Sequence, residues 1–337
     1  MNDPTDAPTA TRPPRRMGRA LALGALILAL LLAGAGLWRA WAPERSVESL
    51  QARWAAAPSR FVAVDGLNVH LRDEGPRDDA LPVVLLHGTS ASLHTWDGWA
   101  AALRAERRVI RMDLPGFGLT GPRADDDYSI AAYVRFVLRL LDGLGVERFV
   151  VAGNSLGGEI AWRTAVAAPQ RVAALVLVDA AGYAFAPESV PIGFRLARLP
   201  VARELFTRVL PRGIVEESLR NVYGDPARVD EALVERYYEL ALRAGNRRAL
   251  VQRFAQLDNG AAAAQIPLVA VPTLILWGGQ DRLIPPAYGQ AFARDIRGSR
   301  LVLYDALGHV PHEEDPARTA ADVRRFLGMA PAAGGGP

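Results

Sequence analysis

From about residue 60 onward the chain alternates between two apolar patterns. Short, nearly continuous apolar runs fall at 83–86, 108–112, 149–152, 172–178, 273–277 and 300–304. Between most of them lie longer stretches with helical spacing, at 93–105, 129–144, 156–168 and 286–296, and a last one at 316–327. Runs of the first kind suit strands buried on both faces, and the alternation predicts a mostly parallel sheet flanked by helices. Ahead of them, 61–64 and 67–72 flank Asp65-Gly66, a hairpin signature. The alternation breaks at 184–265, where helical patterns appear at 191–198, 201–210, 215–222, 226–244 and 247–257 without a convincing strand. That stretch reads as a helical cap inserted before the last two strands, over the carboxyl edge where open α/β sheets place their sites. The α/β core is then 60–183 and 266–330, with a disordered tail at 331–337.

The first sixty residues follow a different pattern. Ala20 to Trp38 is uncharged and almost wholly apolar for 19 residues, about the length a helix needs to cross a bilayer. Arg12, Arg15, Arg16 and Arg19 precede it, and Trp38 and Trp41 follow. Basic residues before the run and tryptophans after it orient a single-pass anchor with its N-terminus in the cytoplasm. The expected order is a disordered cytoplasmic tail (1–19), a transmembrane anchor or signal segment (20–41) and a linker (42–59) with an amphipathic stretch near Leu50. The catalytic body would lie outside a bacterial inner membrane. The alternative is a cleaved signal peptide, with small residues at Ala33-Gly34-Ala35, releasing a periplasmic or secreted enzyme.

Composition narrows the chemistry. With 337 residues, half of them hydrophobic, the chain can bury a large single core. It has no cysteine, which excludes disulfides and thiolate metal sites. The net charge is +3, with acidic and basic residues interspersed, so no clustered basic face points to nucleic acid.

The strongest chemical signal is Gly153-Asn154-Ser155-Leu156-Gly157-Gly158, a G-x-S-x-G pattern between a predicted strand and a predicted helix. A sharp strand-to-helix turn crowds neighbouring backbone, so glycine must flank the serine. A serine hydroxyl needs a base, and the chain has five histidines. His309, on the loop after the last strand, is the expected base, with His312 competing. His70 is read as a surface residue, His87 as a loop brace, and His94 as a surface or pocket-side residue. The imidazole needs an acid to fix its tautomer. Asp281, directly after a strand in Trp277-Gly278-Gly279-Gln280-Asp281, is the expected acid, with Asp179 competing and Asp113 assigned to a structural turn. The oxyanion donors are expected to be the Leu156 and Thr89 N–H groups, with Ser90 as a neighbouring candidate. Ser90, Trp96 and Asn154 are expected to line the substrate pocket.

His87-Gly88-Thr89, Asp113-Leu114-Pro115-Gly116-Phe117-Gly118, the Ser155 motif, the Asp281 motif and Gly308-His309 stand in the order found in the α/β-hydrolase superfamily, which the chain resembles over roughly residues 60–328. Within it the chain looks like capped esterases, meta-cleavage-product C–C hydrolases and cofactor-free haloperoxidases. Ser155 argues against haloalkane dehalogenases and epoxide hydrolases, which use an aspartate nucleophile. Thr89 departs from the His-Gly-Gly of many lipases. The resemblance implies a serine hydrolase that cleaves the carboxylic ester of a hydrophobic small molecule through an acyl-enzyme. The alternative is C–C bond hydrolysis of a vinylogous diketone, which needs a carboxylate-binding group such as a cap arginine (Arg195, Arg198, Arg243, Arg247 or Arg248). A lesser alternative is an inactive, membrane-tethered binding protein. No metal or organic cofactor is expected, and the oligomeric state is left open.

Overall fold

The structure, a computed structural model, describes residues 15–198 and 207–329. These fall into two units, one ending at Trp41 and one beginning at Ala42.

The first unit contains a helix over Arg15–Ala40. Its described leucines, among them Leu21, Leu26, Leu30 and Leu31, are more than half exposed. Among the described residues no helix is long and apolar enough to cross a membrane. The transmembrane helix expected from the sequence is therefore not shown.

The second unit is built on an eight-stranded sheet in the order β1-β2-β4-β3-β5-β6-β7-β8. β1 (Ser59–Val64) and β2 (Leu67–Glu74) form the expected hairpin, with Val64 opposite Leu67. Asp65 and Gly66 turn it at φ 49 and 78, the pair of positive φ angles a two-residue primed turn requires. β2 also pairs antiparallel with β4 (Val109–Met112). β3 (Val83–Leu86), β5 (Phe149–Asn154), β6 (Val172–Val178), β7 (Thr273–Gly278) and β8 (Arg300–Tyr304) continue the sheet in parallel.

Side chains of the central strands alternate between two cores. Val84, Leu86 and Val151 pack with Phe136, Leu140 and Ile160 from the helices Ile130–Gly143 and Leu156–Ala167. Val83, Leu85 and Val150 pack with Trp99, Leu103 and Val323 from the helices Asp97–Leu103 and Pro316–Phe326. Both faces of β3 and β5 are thus buried, which is why their sequences are continuous apolar runs rather than alternating ones.

The cap lies between β6 and β7. Its described helices are Ile192–Arg198, Arg212–Val222, Glu231–Ala241 and Asn246–Ala255. The helix expected at 201–210 falls largely outside the described residues. Of the cap's apolar side chains, Ala197, Leu242 and Leu250 join the main core, and Phe194 stacks edge-on against Phe254 at 5.2 Å.

Two expectations change in this unit. The segment 42–59 is not a free linker. It contains the helix Val47–Trp54, opened by a Ser46 cap that accepts from the Ser49 N–H, and Leu50 is buried with Leu119 and Leu240. His70 is not a surface residue. It is fully buried on β2, and its Nδ1 bonds Asp113 Oδ2 at 2.7 Å. It lies on the face of β2 opposite Val69 and Leu71, and that face is covered by Phe61 and by the loop carrying Leu119 and Thr120, so the ring is buried although the strand's apolar alternation points the other way.

Candidate active site

Ser155 stands where β5 ends and the helix Leu156–Ala167 begins. It has φ 54 and ψ −115, a conformation L-residues rarely hold. Three main-chain bonds fix it: the Ser155 N–H donates to Val178 O at 3.1 Å, and Ser155 O accepts from Glu159 and Ala181. The crowding inferred from the motif is present. A Cβ on Gly153 would lie 2.1 Å from Gly157 O, and one on Gly157 would lie 2.1 Å from Leu86 O. Leu156 occupies the first helical position, where a backbone N–H has no intrahelical acceptor. The His87-Gly88-Thr89 loop runs directly against this turn, since a Cβ on Gly88 would meet Asn154 Oδ1 at 2.7 Å and Ser155 Cβ at 3.3 Å. His87 braces that loop, donating from Nδ1 to Gly88 O at 2.7 Å and accepting the Leu114 N–H on Nε2 at 2.9 Å.

Asp281 and His309 come from the loops after β7 and β8. His309 Nδ1 lies 2.7 Å from Asp281 Oδ2, with the aspartate almost wholly buried. Donation of Nδ1–H to the carboxylate leaves the lone pair on Nε2, the nitrogen a general base uses. Asp281 Oδ1 accepts the Leu283 and Ile284 N–H groups at 2.8 and 2.9 Å, which fixes the carboxylate plane. The two loops touch: a Cβ on Gly278 would lie 1.9 Å from Gly308 O, so only glycine lets the β7 end approach the histidine loop.

A cavity of about 130 Å³ opens at this edge of the sheet. It is lined by Thr89, Ser90, Asn154, Ser155 and His309, all singled out from sequence, together with cap residues such as Phe194, Val222, Tyr237 and Arg247. Trp96 does not line it. It is fully buried in the other core, 4.9 Å from the Trp99 ring and 4.0 Å from His312. The turn Leu93–Trp96 carries that side chain under the sheet, away from the cap. His312 is likewise buried, bonded to Thr95 Oγ1 at 3.1 Å and outside the cavity, so of these two histidines it is His309 that meets both an acid and the cavity. His94 is buried rather than superficial and bonds Trp54 O at 3.0 Å; burial holds its pKa down at about 4.

Asp179, the competing acid, lies beside the pair. One ligand atom from each of Asp179, Asp281 and His309 lies within 4.8 Å of the others, the one such metal-like cluster among the described residues. Burial and the neighbouring Asp281 raise the Asp179 pKa well above the carboxylate range. Its Oδ1 accepts the Gly278 N–H at 2.9 Å. The Asp281 oxygens are already committed to His309 and two main-chain N–H groups, so a cation here would compete with those bonds.

One supporting role and one supporting residue escaped the sequence reading. The carboxamide of Asn154, expected as a pocket residue, also acts as a latch: Nδ2 donates to Val178 O at 3.2 Å and to His309 O at 2.9 Å. Glu314 receives the Gly308 N–H at 2.7 Å and the cap's Gly224 N–H at 2.8 Å. With the His309 N–H on Val222 O at 2.7 Å, these bonds tie the histidine loop to the cap. Nothing local in the sequence marks Glu314, because it acts on main-chain N–H groups, one of them 90 residues earlier in the cap.

Comparison with known proteins gives the family. The profile of the alpha/beta hydrolase fold matches residues 82–316. An uncharacterised Mycobacterium bovis protein is 32% identical over 261 residues, covering 73% of this chain and 74% of its own. The 2-hydroxymuconate semialdehyde hydrolase of Pseudomonas sp. (strain CF600) is 29% identical over 283 residues, covering 81% of this chain and 95% of its own. Among solved structures, a membrane phospholipase A described as a bacterial virulence factor superposes with a TM-score of 0.69 at 25% identity, covering 92% of this chain and 98% of that one. A strained serine at a strand-to-helix turn, a His–Asp pair at the same sheet edge, and a family match across most of the chain have one reading in common: the chain belongs to the alpha/beta hydrolase fold family.

Proposed function

We propose that this protein hydrolyses a carboxylic ester of a hydrophobic small molecule through an acyl-enzyme on Ser155. The observation that carries the reading is the His309–Asp281 pair at 2.7 Å, with His309 lining the same cavity as the strained Ser155. Ser155 Oγ attacks the ester carbonyl as His309 Nε2 takes its proton. Asp281 holds the imidazole tautomer and stabilises its cation. The tetrahedral oxyanion sits between the Leu156 and Thr89 N–H groups, each contributing about 3 kcal/mol to the transition state. His309 then protonates the leaving alcohol, and water cleaves the acyl-enzyme by the reverse proton path. The apolar lining from Phe194, Leu210, Ile214 and Leu250 suits an acyl or alkyl chain.

The same unit is proposed to be held at a bacterial inner membrane by residues 20–41, with the body outside the cytoplasm. The uncharged run from Ala20 to Trp38, the arginines before it and the exposed leucines of the helix Arg15–Ala40 support this. The likeness to a membrane phospholipase A supports it too. Cleavage after this segment, giving a periplasmic or secreted enzyme, is the competing outcome.

A second reading, C–C bond hydrolysis of a vinylogous diketone, is favoured by the match to 2-hydroxymuconate semialdehyde hydrolase across 95% of that enzyme. Because a C–C hydrolase with this triad can also cleave esters, turnover of a vinylogous diketone is measured beside that of p-nitrophenyl esters of increasing acyl length. Ester cleavage that falls by at least about 10⁴-fold in Ser155→Ala, without diketone turnover by the wild type, supports the first reading. A folded protein inert to every ester, yet active on a diketone, overturns it in favour of the second.

A further inference from the structure

The loop after β3 holds a second strained serine. Gly88 O accepts the Ala91 N–H at 3.2 Å, which closes a turn over residues 88–91. Ser90, its third residue, is at φ 63, and Thr89 before it is not at positive φ. A positive φ at the third position alone marks a type II turn, where glycine or asparagine is favoured. A serine side chain there is strained. Nothing in the protein offsets that strain, because the Ser90 hydroxyl bonds no described residue. Ser90 lines the catalytic cavity, and its hydroxyl is not among the polar atoms sealed from solvent without a partner, so it is open to the cavity.

Other polar side chains of the wall are committed to the protein itself. Ser218 Oγ donates to Ile214 O at 2.6 Å and accepts the Gly193 N–H at 3.2 Å. The Tyr237 hydroxyl donates to Glu313 Oε2 at 2.9 Å. Arg247 Nη2 donates to Ala42 O at 2.7 Å, and its other two nitrogens are sealed from solvent. The sheet order decides which part of an ester meets the free Ser90 hydroxyl. β5, which carries Ser155, lies between β3 on one side and β6, β7 and β8 on the other. The leaving oxygen must face His309, on the β8 side, to receive its proton. The turn at 88–91 approaches from the β3 side, so the half of the ester left to face Ser90 is the acyl half.

We propose that the Ser90 hydroxyl contacts the acyl group of the substrate, whose carbon next to the scissile carbonyl carries an oxygen, as a hydroxyl or an ether. Ser90 directly follows Thr89, the proposed oxyanion donor, so an oxygen one carbon from the carbonyl is the nearest acyl atom it can bond. A neutral hydroxyl suits an uncharged oxygen, and the apolar wall takes the rest of the chain. The strained φ at residue 90 persists because the side chain it carries is used. This inference rests on the hydrolase reading for what is cleaved. It narrows the substrate class from hydrophobic esters to those oxygenated beside the carbonyl.

The test compares p-nitrophenyl hexanoate with p-nitrophenyl 2-hydroxyhexanoate and p-nitrophenyl propoxyacetate, on the full chain in neutral detergent. Each kcat/KM is divided by the rate constant for hydroxide hydrolysis of the same ester, which removes the activation due to the oxygen itself. One or both oxygenated esters are expected to exceed the hexanoate by at least about fivefold, the scale of one neutral hydrogen bond. Ser90→Ala keeps Cβ and removes the hydroxyl, whereas Ser90→Gly also removes the strain. Both are expected to bring the ratio to about one, with Ser90→Gly melting at or above Ser90→Ala. A wild-type ratio near one overturns the proposal, and so does a preference that survives in either folded variant. A Ser90→Gly protein that melts below Ser90→Ala removes the strain from the argument and overturns it too. Calorimetry with 2-heptanone and 3-hydroxy-2-heptanone reads the same preference without turnover. Absence of all ester turnover would sink the hydrolase reading, and the ketone ratio would then decide the role of Ser90; ester turnover with no preference would sink that role alone.

Discussion

Asp281 does two jobs with two oxygens: Oδ1 receives the Leu283 and Ile284 N–H groups while Oδ2 receives His309 Nδ1–H. In Asp281→Asn the carbonyl oxygen can keep the main-chain bonds, but the NH2 then faces Nδ1 and selects the wrong imidazole tautomer. Ester kcat is expected to fall by about 10⁴-fold with little change in thermal stability; a fall below tenfold would move the acid's role to Asp179. Glu159, four residues after Ser155, makes a second residue-scale prediction. Burial, together with nearby Asp258, raises its pKa from 4.5 to about 7, against an Arg253 nitrogen 3.8 Å away. The folded state thus binds the proton more tightly than the unfolded chain. This stabilisation is complete below about pH 4.5 and is lost as pH rises through about 7. It amounts to at most about 3 kcal/mol. Glu159→Gln should flatten the decline in melting temperature between pH 5 and 8, and an unchanged slope would exclude Glu159 as its source.

At the scale of elements, the helix Val47–Trp54 shows how the body is closed. Leu50 packs on Leu119 beside the sheet and on Leu240 of the cap, while Trp54 Nε1 donates to Glu239 Oε2 at 2.7 Å. The segment therefore staples cap to core. Leu50→Ala is expected to cost about 2–4 kcal/mol in a denaturant titration of the protein beginning at Ala42. A cost below about 1 kcal/mol would mean that the helix is a passenger. The tie between cap and histidine loop, through Glu314 and Val222, is also an element-scale feature. It makes the position of His309 depend on cap packing, although no cap side chain takes part in the proposed chemistry.

At the scale of the whole molecule, the body carries its own core and site from Ala42 onward, and the proposed anchor lies before it. The full chain is expected to sediment with membranes and to resist carbonate extraction, whereas the protein beginning at Ala42 is expected to stay in the supernatant. Recovery of the full chain as a processed soluble form lacking residues 20–41 would replace the anchor with a signal peptide.

The sequence by itself carried the strand-helix alternation, the cap insertion, the Ser155 turn and the His309 and Asp281 loops. Each is written in local terms: apolar period, glycine at a crowded turn, or a polar residue directly after a strand. Only the tertiary structure decided the rest. His70 and Trp96 are polar-capable rings whose placement depends on which face of a distant element covers them. Asn154 and Glu314 act on main-chain groups, His309 O and Gly224 N–H among them, that lie far away in sequence. Of the five cap arginines singled out from sequence, Arg247 alone lines the cavity. Burial and pairing are properties of neighbours in space, and for these residues the neighbours come from parts of the chain that local pattern does not connect.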